Sequence, residues 1–148
     1  MNKSLLKEKC IAIIQERMDG LQKAMKEAQD AANEETKSSS GDKYETTRAM
    51  NQLDKDMYAR QLLENGRELA AIMETDCEQA KFVAEPGSYV QCPSGNFFVL
   101  AGLGNITFDG TELYVISPNA PLARSMAGKG KGDSFTFNNK VMVIEKIC

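Results

Sequence analysis

The stretch KSSSGDKYET, residues Lys37–Thr46, separates two long runs of helical pattern, and its reading decides the fold. Upstream, the apolar positions Ile14, Met18, Leu21, Met25, Ala28 and Ala32 recur in alternating steps of four and three, which is a heptad seam. Downstream, the same steps predict a second seam through Met50, Leu53 and Met57. It blurs at Arg60 and resumes through Leu63, Ala70 and Met73, or on the adjacent face through Leu62, Leu69 and Ile72. Residues 1–79 contain no proline, and their glycines are Gly20, Gly41 and Gly66. Ala, Glu, Lys, Gln, Leu and Met, all good helix formers, dominate them. One break between two seams predicts an antiparallel helical hairpin with its tip near 38–45. Arms of roughly 30 residues at ~1.5 Å per residue would extend roughly 45 Å. Toward the break the first seam shrinks to alanine, which would let the helices approach closely.

Asp42 and Glu45 follow the serines at once, at i and i+3 on the first turn of the second helix. One reading is structural: an Asp/Glu pair at this spacing is a variant of the capping box, and acids suit a helix N-terminus. The other is functional, because a pair at the end of a long arm is presented far from the rest of the chain. Two carboxylates are too few for Mg²⁺, which takes near-octahedral oxygen ligands. They could complete a site whose other ligands come from elsewhere. Glu34 and Glu35 sit in the last turns of the first helix, where acids oppose the dipole. Lys43, Tyr44 and Arg48 are candidate tip contacts: the aromatic either stacks on a base or packs against the opposing helix end, and the cations, with Lys37, either meet phosphates or balance the nearby acids.

The second half changes period. Short β-rich runs alternate with Pro, Gly, Asn and Asp punctuation, predicting strands near 81–84, 88–92, 96–101, 112–116, 134–138 and 140–146. PLARSMAGKG reads as a short helix, with Pro121 in its first turn and Gly128 at its end. Asn138 and Asn139 read as a hairpin turn, both able to take positive φ. Gly102 and Gly104 read as a turn, since no helix follows to make a dinucleotide site. The expected class is therefore α+β: a coiled-coil hairpin over 1–78, then a small, mainly antiparallel β domain with one short helix over 79–148.

Composition narrows the function classes. The chain has 148 residues and a formal net charge of −3, which does not suit a protein held to nucleic acid by bulk charge. Sequence-specific DNA binding is not expected. The chain has no histidine, which excludes His-containing zinc sites and Ser-His or Cys-His catalysis. Cys10, Cys77, Cys92 and Cys148 form no CxxC motif and read as reduced, structural thiols. Charges at Glu8, Lys9, Glu16 and Arg17 bracket the only early apolar stretch too closely for a membrane span. A cytoplasmic address is expected.

Two stretches carry a family resemblance. GDKYET is similar to the G-D-x-x-E tip motif of the bacterial Gre transcript-cleavage factors, which are transcription elongation factors. VISPNAPLARSMAGKGKGDSFTF, with the later VMVIEKI, resembles that family's I-S-x-x-S-P-L-x-x-A-L-x-G-K-x-x-G-D motif and its closing strand. The resemblance covers nearly the whole chain and implies an FKBP-like C-terminal domain. It implies that the coiled coil enters the secondary channel of bacterial RNA polymerase. Asp42 and Glu45 would there help hold a Mg²⁺ shared with the polymerase, beside the 3′ end of backtracked RNA, and stimulate RNA cleavage. It implies contact between the channel rim and the loop carrying Ser117, Asn119 and Pro121. The chain departs from the family in two places. Thr46, Thr47, Arg48 and Ala49 follow the glutamate where the family has Asn and then Ala-Glu-Tyr, and Ala120 stands where it has Ser. The alternatives are a channel-binding regulator without cleavage activity and a coiled-coil adaptor unrelated to transcription.

Overall fold

The computed structural model describes residues 1–38 and 41–148, and among these the side chains of all but 35–38 and 41–44. Two long helices come first, α1 (Lys3–Ser38) and α2 (Gly41–Glu74). Asn2 caps α1: its Oδ1 accepts from Leu5 N at 3.1 Å while its carbonyl accepts from Leu6 N at 3.0 Å. The helices form the expected hairpin. Lys55 Nζ reaches Gln29 Oε1, and Gly66 faces the Met18 side chain. Partners thus move apart in opposite directions along the chain, as antiparallel helices require.

The seam on α1 is where the pattern places it. Ile14 is fully buried, and Met18, Leu21, Met25, Ala28 and Ala32 are all half-buried. The seam on α2 is a correction. Met50, Leu53 and Met57 are exposed, at 61, 68 and 37%. The inward positions are instead Thr47, Asn51, Lys55, Tyr58, Leu62 and Leu69, half-buried, and Ile72, fully buried. The step of the pattern holds and its phase does not, by roughly a third of a turn at ~3.6 residues per turn. Near Leu62–Ile72 the adjacent face named above is the true one, and Leu63 and Met73 point outward.

The chain divides into two compact units. One comprises Met1–Ile11 and Ala70–Cys148, the other Ala12–Leu69. The first contains the sheet region. Its strands are β1 (Tyr89–Cys92), β2 (Gly95–Val99), β3 (Gly104–Phe108), β4 (Thr111–Ile116), β5 (Ser134–Phe137), β6 (Lys140–Val143) and β7 (Lys146–Ile147), with the short helix α3 (Pro121–Met126) after β4. Five strands form one sheet in the order β3-β4-β2-β1-β7, and β5 and β6 form a separate hairpin. All pairings are antiparallel except β2 with β4. That parallel pair arises because β3 goes to the sheet edge and β4 folds back between β3 and β2.

Local chemistry explains most of these turns. Asn138 and Asn139 have φ of 50° and 61°, the two-residue turn that matches strand twist. Asp109 and Gly110 do the same between β3 and β4, with φ of 53° and 77°. Pro121 opens α3, and Gly128, with φ of 76°, lies just beyond it.

Two strand expectations and one turn expectation need correction. Residues 81–84 form only isolated bridges, Val83 with Gly130 and Ala84 with Ala127. The run 140–146 is broken into β6 and the start of β7 because the chain changes partner: Ile144 N–H still goes to the Asp133 carbonyl beside β5, while Glu145 N–H goes to the Gln91 carbonyl of β1. Gly104 opens strand β3 rather than lying within a turn.

One face of the sheet packs into a core with α3 and the β5–β6 hairpin. Val90, Cys92, Phe97, Met126, Phe135 and Ile144 are buried there. Tyr89, Phe98, Leu113 and Val115 are buried on the opposite face, in the same compact unit as Leu6, Cys10 and Ile72 from the helix ends. Three lysines of α1 fix its first turns. Lys3 Nζ donates to the carbonyls of Gln79 and Gly87, Lys7 Nζ to those of Met73 and Thr75, and Lys9 Nζ to that of Thr107 on β3. No described helix is long and apolar enough to cross a membrane.

Candidate functional site

The link between the two long helices is short, with only Ser39 and Ser40 between Ser38 and Gly41. The helix α2 starts at Gly41, so the backbones of Asp42, Lys43, Tyr44 and Glu45 all lie in its opening turns. The spacing of Asp42 and Glu45 on one helix makes them neighbours along its surface. Glu45 is exposed. The side chains of Asp42, Lys43 and Tyr44, like that of Glu35, lie outside the described residues, and so does the capping expected of Asp42. Among the described residues no group of three or more Asp, Glu, Cys or His side chains is assembled to hold a metal. A carboxylate pair at this turn supplies only part of a Mg²⁺ ligand set, and the remaining oxygens would have to come from another molecule.

Below the turn, the alanine seam and the polar seam face each other. Ala28 and Ala32 of α1 and Arg48, Asn51 and Lys55 of α2 line a cleft of about 410 Å³. The short alanines do not fill the space that the long polar residues opposite leave open. Lys55 Nζ spans to Gln29 Oε1 at 2.7 Å, and Gln29 Nε2 donates to Asn33 Oδ1 at 3.1 Å. Asn51 Nδ2 is buried and has no hydrogen-bond partner. A donor left in that state costs about 1–3 kcal/mol. Arg48, a candidate tip contact by sequence, therefore stands at the cleft.

The second predicted contact is the loop from Ser117 to Pro121. Its shape comes from Ser117, whose Oγ accepts from Asn119 N at 3.2 Å and whose carbonyl accepts from Ala120 N at 3.0 Å. Asn119 and Pro121 are exposed and Ser117 is half-buried. Ala120 is the N-cap of α3 and makes no side-chain cap bond. Apolar cavities lie on both sides of this loop. Ile116 and Leu122, which flank it, line one of about 360 Å³ together with Phe97, Tyr114, Phe137 and Met142. The Phe97 and Tyr114 rings stack there, with centroids 6.0 Å apart. Pro118 and Ala123 line the other, of about 200 Å³, with Val99. Lys140 and Asn138 stand at the rim of the larger cavity and give it a polar edge. Sequence reading finds the loop and misses the larger cavity, because its walls come from β2, β4, α3 and the β5–β6 hairpin.

The thiols are placed as structural groups. All four cysteines are free, and Cys10, Cys77 and Cys92 are buried. Burial pushes the Cys10 thiol up to about 12, and Cys77 nearby adds to the shift. Burial also raises Cys77 and Cys92. A thiol held neutral in this way is a poor nucleophile.

No protein-family model matches the chain, and neither a curated protein nor a solved structure matches it.

Proposed function

We propose that this chain is a factor of the Gre type that binds bacterial RNA polymerase and stimulates Mg²⁺-dependent cleavage of backtracked RNA. The observation that carries the reading is the position of Asp42 and Glu45. They occupy the first turns of α2, directly after the short link that closes a hairpin of 36- and 34-residue helices. A hairpin of two helices is narrow enough to enter a channel, and carboxylates at its turn would be the first groups to arrive. Within the polymerase, Asp42 and Glu45 would supply oxygens to an ion that the enzyme's own carboxylates and the RNA phosphate also hold. Mg²⁺ so placed stabilises the attacking and leaving oxygens of a phosphodiester cleavage. The protein is then an accessory to the polymerase's active site, not an enzyme alone.

The sheet region fits the second half of this reading. We take it as an FKBP-like domain on the strength of the motif resemblance and the antiparallel sheet with its single short helix. The loop of Ser117, Asn119 and Pro121 would grip the channel rim. Such a partner gives the protein a cytoplasmic address. Adding the protein to a stalled, backtracked elongation complex with Mg²⁺ tests the proposal: short 3′ RNA pieces should be released.

A specific observation favours a second reading, in which binding is kept and cleavage is not. The residues after Glu45 differ from the family pattern, and one of them, Arg48, lines the interhelical cleft. That reading expects altered initiation or pausing with no RNA fragments. An adaptor unrelated to transcription would capture no polymerase subunit.

A further inference from the structure

We infer that the apolar cavity between the sheet, α3 and the β5–β6 hairpin binds a small aromatic carboxylate. This goes beyond the proposed action on the polymerase and does not depend on it. The walls select a flat, apolar body. Phe97 and Tyr114 stack there, with centroids 6.0 Å apart and ring planes 25° from parallel, and Phe137 lines the cavity with them. Ile116, Leu122, Phe137 and Met142 pack on the buried core yet stay half-buried themselves, and Tyr114 is 46% exposed. Folding therefore leaves a contiguous apolar wall open to water. A Cβ at Gly95 would stand 3.7 Å from the Phe97 ring and 4.0 Å from the Tyr114 ring, so the missing side chain leaves both ring edges uncovered. An aromatic ligand would bury this surface and stack on its rings. The cavity, of about 360 Å³, lies within the range of small-molecule sites, about 300–1,000 Å³.

The rim selects the charge. Aromatic walls alone would suit a cation, which ring faces attract. Lys140 at the mouth reverses that preference, and among the described residues no carboxylate lines the cavity. Strand register explains the lysine's place. Lys140 pairs with Phe137 across the Asn138–Asn139 turn and shares a face of β6 with Met142, two residues on. A lysine so placed lays its stem along the apolar wall and keeps its ammonium in water. Among the described residues Lys140 makes no ion pair, and the side chains of Lys140, Asn138 and Ser94 at the rim make no hydrogen bond. One uncommitted cation matches one negative charge, and a carboxylate accepts from both ammonium and amide donors.

Full-length protein with labelled methionine and leucine methyl groups, titrated at neutral pH and constant ionic strength, tests this by NMR. The probes are naphthoate, neutral naphthalenemethanol, naphthylmethylammonium and acetate. Saturable shifts of the Met142 and Leu122 methyls are expected with naphthoate. The alcohol should bind roughly three- to fivefold more weakly, about what one rim ion pair contributes. The ammonium should bind more weakly still, and acetate should give no saturable shift. Lys140→Gln should bring naphthoate down to the alcohol's affinity and leave the alcohol's own unchanged, which a merely structural lysine would not do. Tyr114→Ala should weaken naphthoate and the alcohol alike, by roughly fivefold. Equal binding of the three naphthalenes, or an undiminished naphthoate response in Lys140→Gln, would overturn the proposal. So would saturation only by a peptide bearing leucine and glutamate, which would make the cavity a protein-docking surface.

Discussion

Lys3 and Gly87, 84 positions apart, are joined by a buried hydrogen bond of 3.0 Å from the lysine ammonium to the glycine carbonyl. The same ammonium donates to the Gln79 carbonyl at 2.7 Å. Lys3 is 7% exposed, and burial holds its ammonium below the ordinary lysine range. One cation thus ties the start of α1 to the segment leading into β1. Lys3→Met should leave both carbonyls without this donor and cost about 1–3 kcal/mol. Urea unfolding monitored by circular dichroism would measure it. An unchanged midpoint would show that the clamp adds nothing.

Two glycines should respond in opposite senses. Gly20 lies inside α1, and a Cβ added there would meet nothing within 4 Å. Gly20→Ala should therefore stabilise by about 0.5–1 kcal/mol through helix propensity. Gly87 has φ of +90°, and a Cβ there would collide with the Asp76 carbonyl oxygen. Gly87→Ala should cost more than ~1 kcal/mol, because the backbone conformation and the close approach both exclude a side chain. Thermal unfolding of the two variants checks the contrast.

The corrected seam of α2 makes its own prediction. Asn51→Leu replaces an inward, unsatisfied amide with an apolar side chain and should raise hairpin stability by about 1–2 kcal/mol. Leu53→Gln removes a side chain that is 68% exposed and should change stability by less than ~0.5 kcal/mol. If Leu53→Gln proves the more damaging, the phase given for α2 is wrong.

Much of this fold is legible in the sequence. The Asn138–Asn139 turn, the Pro121 start of α3 and the seam of α1 each have a local cause that residue type reveals. The phase of α2 is hidden because its inward positions near the turn are Thr47, Asn51 and Lys55, while Met50 and Leu53 face out. Hydrophobic periodicity finds a stripe but does not say that the stripe is buried. Strand β3 is hidden because it is an edge strand with mostly exposed residues. The usable signal is Asp109-Gly110, a hairpin dipeptide between ITF and TELY. The acidic pair is legible as a pattern. The cleft below it is not, because it needs both helices in register.

Alkaline pH should unfold the protein ahead of general base damage. In the folded chain, burial raises the thiols of Cys10, Cys77 and Cys92 and the phenol of Tyr89. Raised folded values mean that this stability is fully present below the unfolded thiol value of 9.0 and lost as pH climbs toward about 12 for Cys10. Each thiol can contribute a slope of up to about 1.4 kcal/mol per pH unit. Lys3 acts oppositely, since its folded value is lowered and its buried charge is relieved as pH approaches 10.5. The large rise at Cys10, from 9.0 to about 12, sets the net direction. Denaturant unfolding between about pH 8 and pH 11, in reductant, should show falling stability, with a shallower fall in Cys10→Ala.

The most direct test of the central claim compares the wild type with Asp42→Asn/Glu45→Gln on one backtracked elongation complex with Mg²⁺, with binding to the polymerase measured in parallel. The expected result is release of short 3′ RNA fragments by the wild type and none above background by the variant, with binding retained. Equal cleavage by both proteins would contradict the assignment of the tip carboxylates, and absence of polymerase binding by the wild type would contradict the account as a whole.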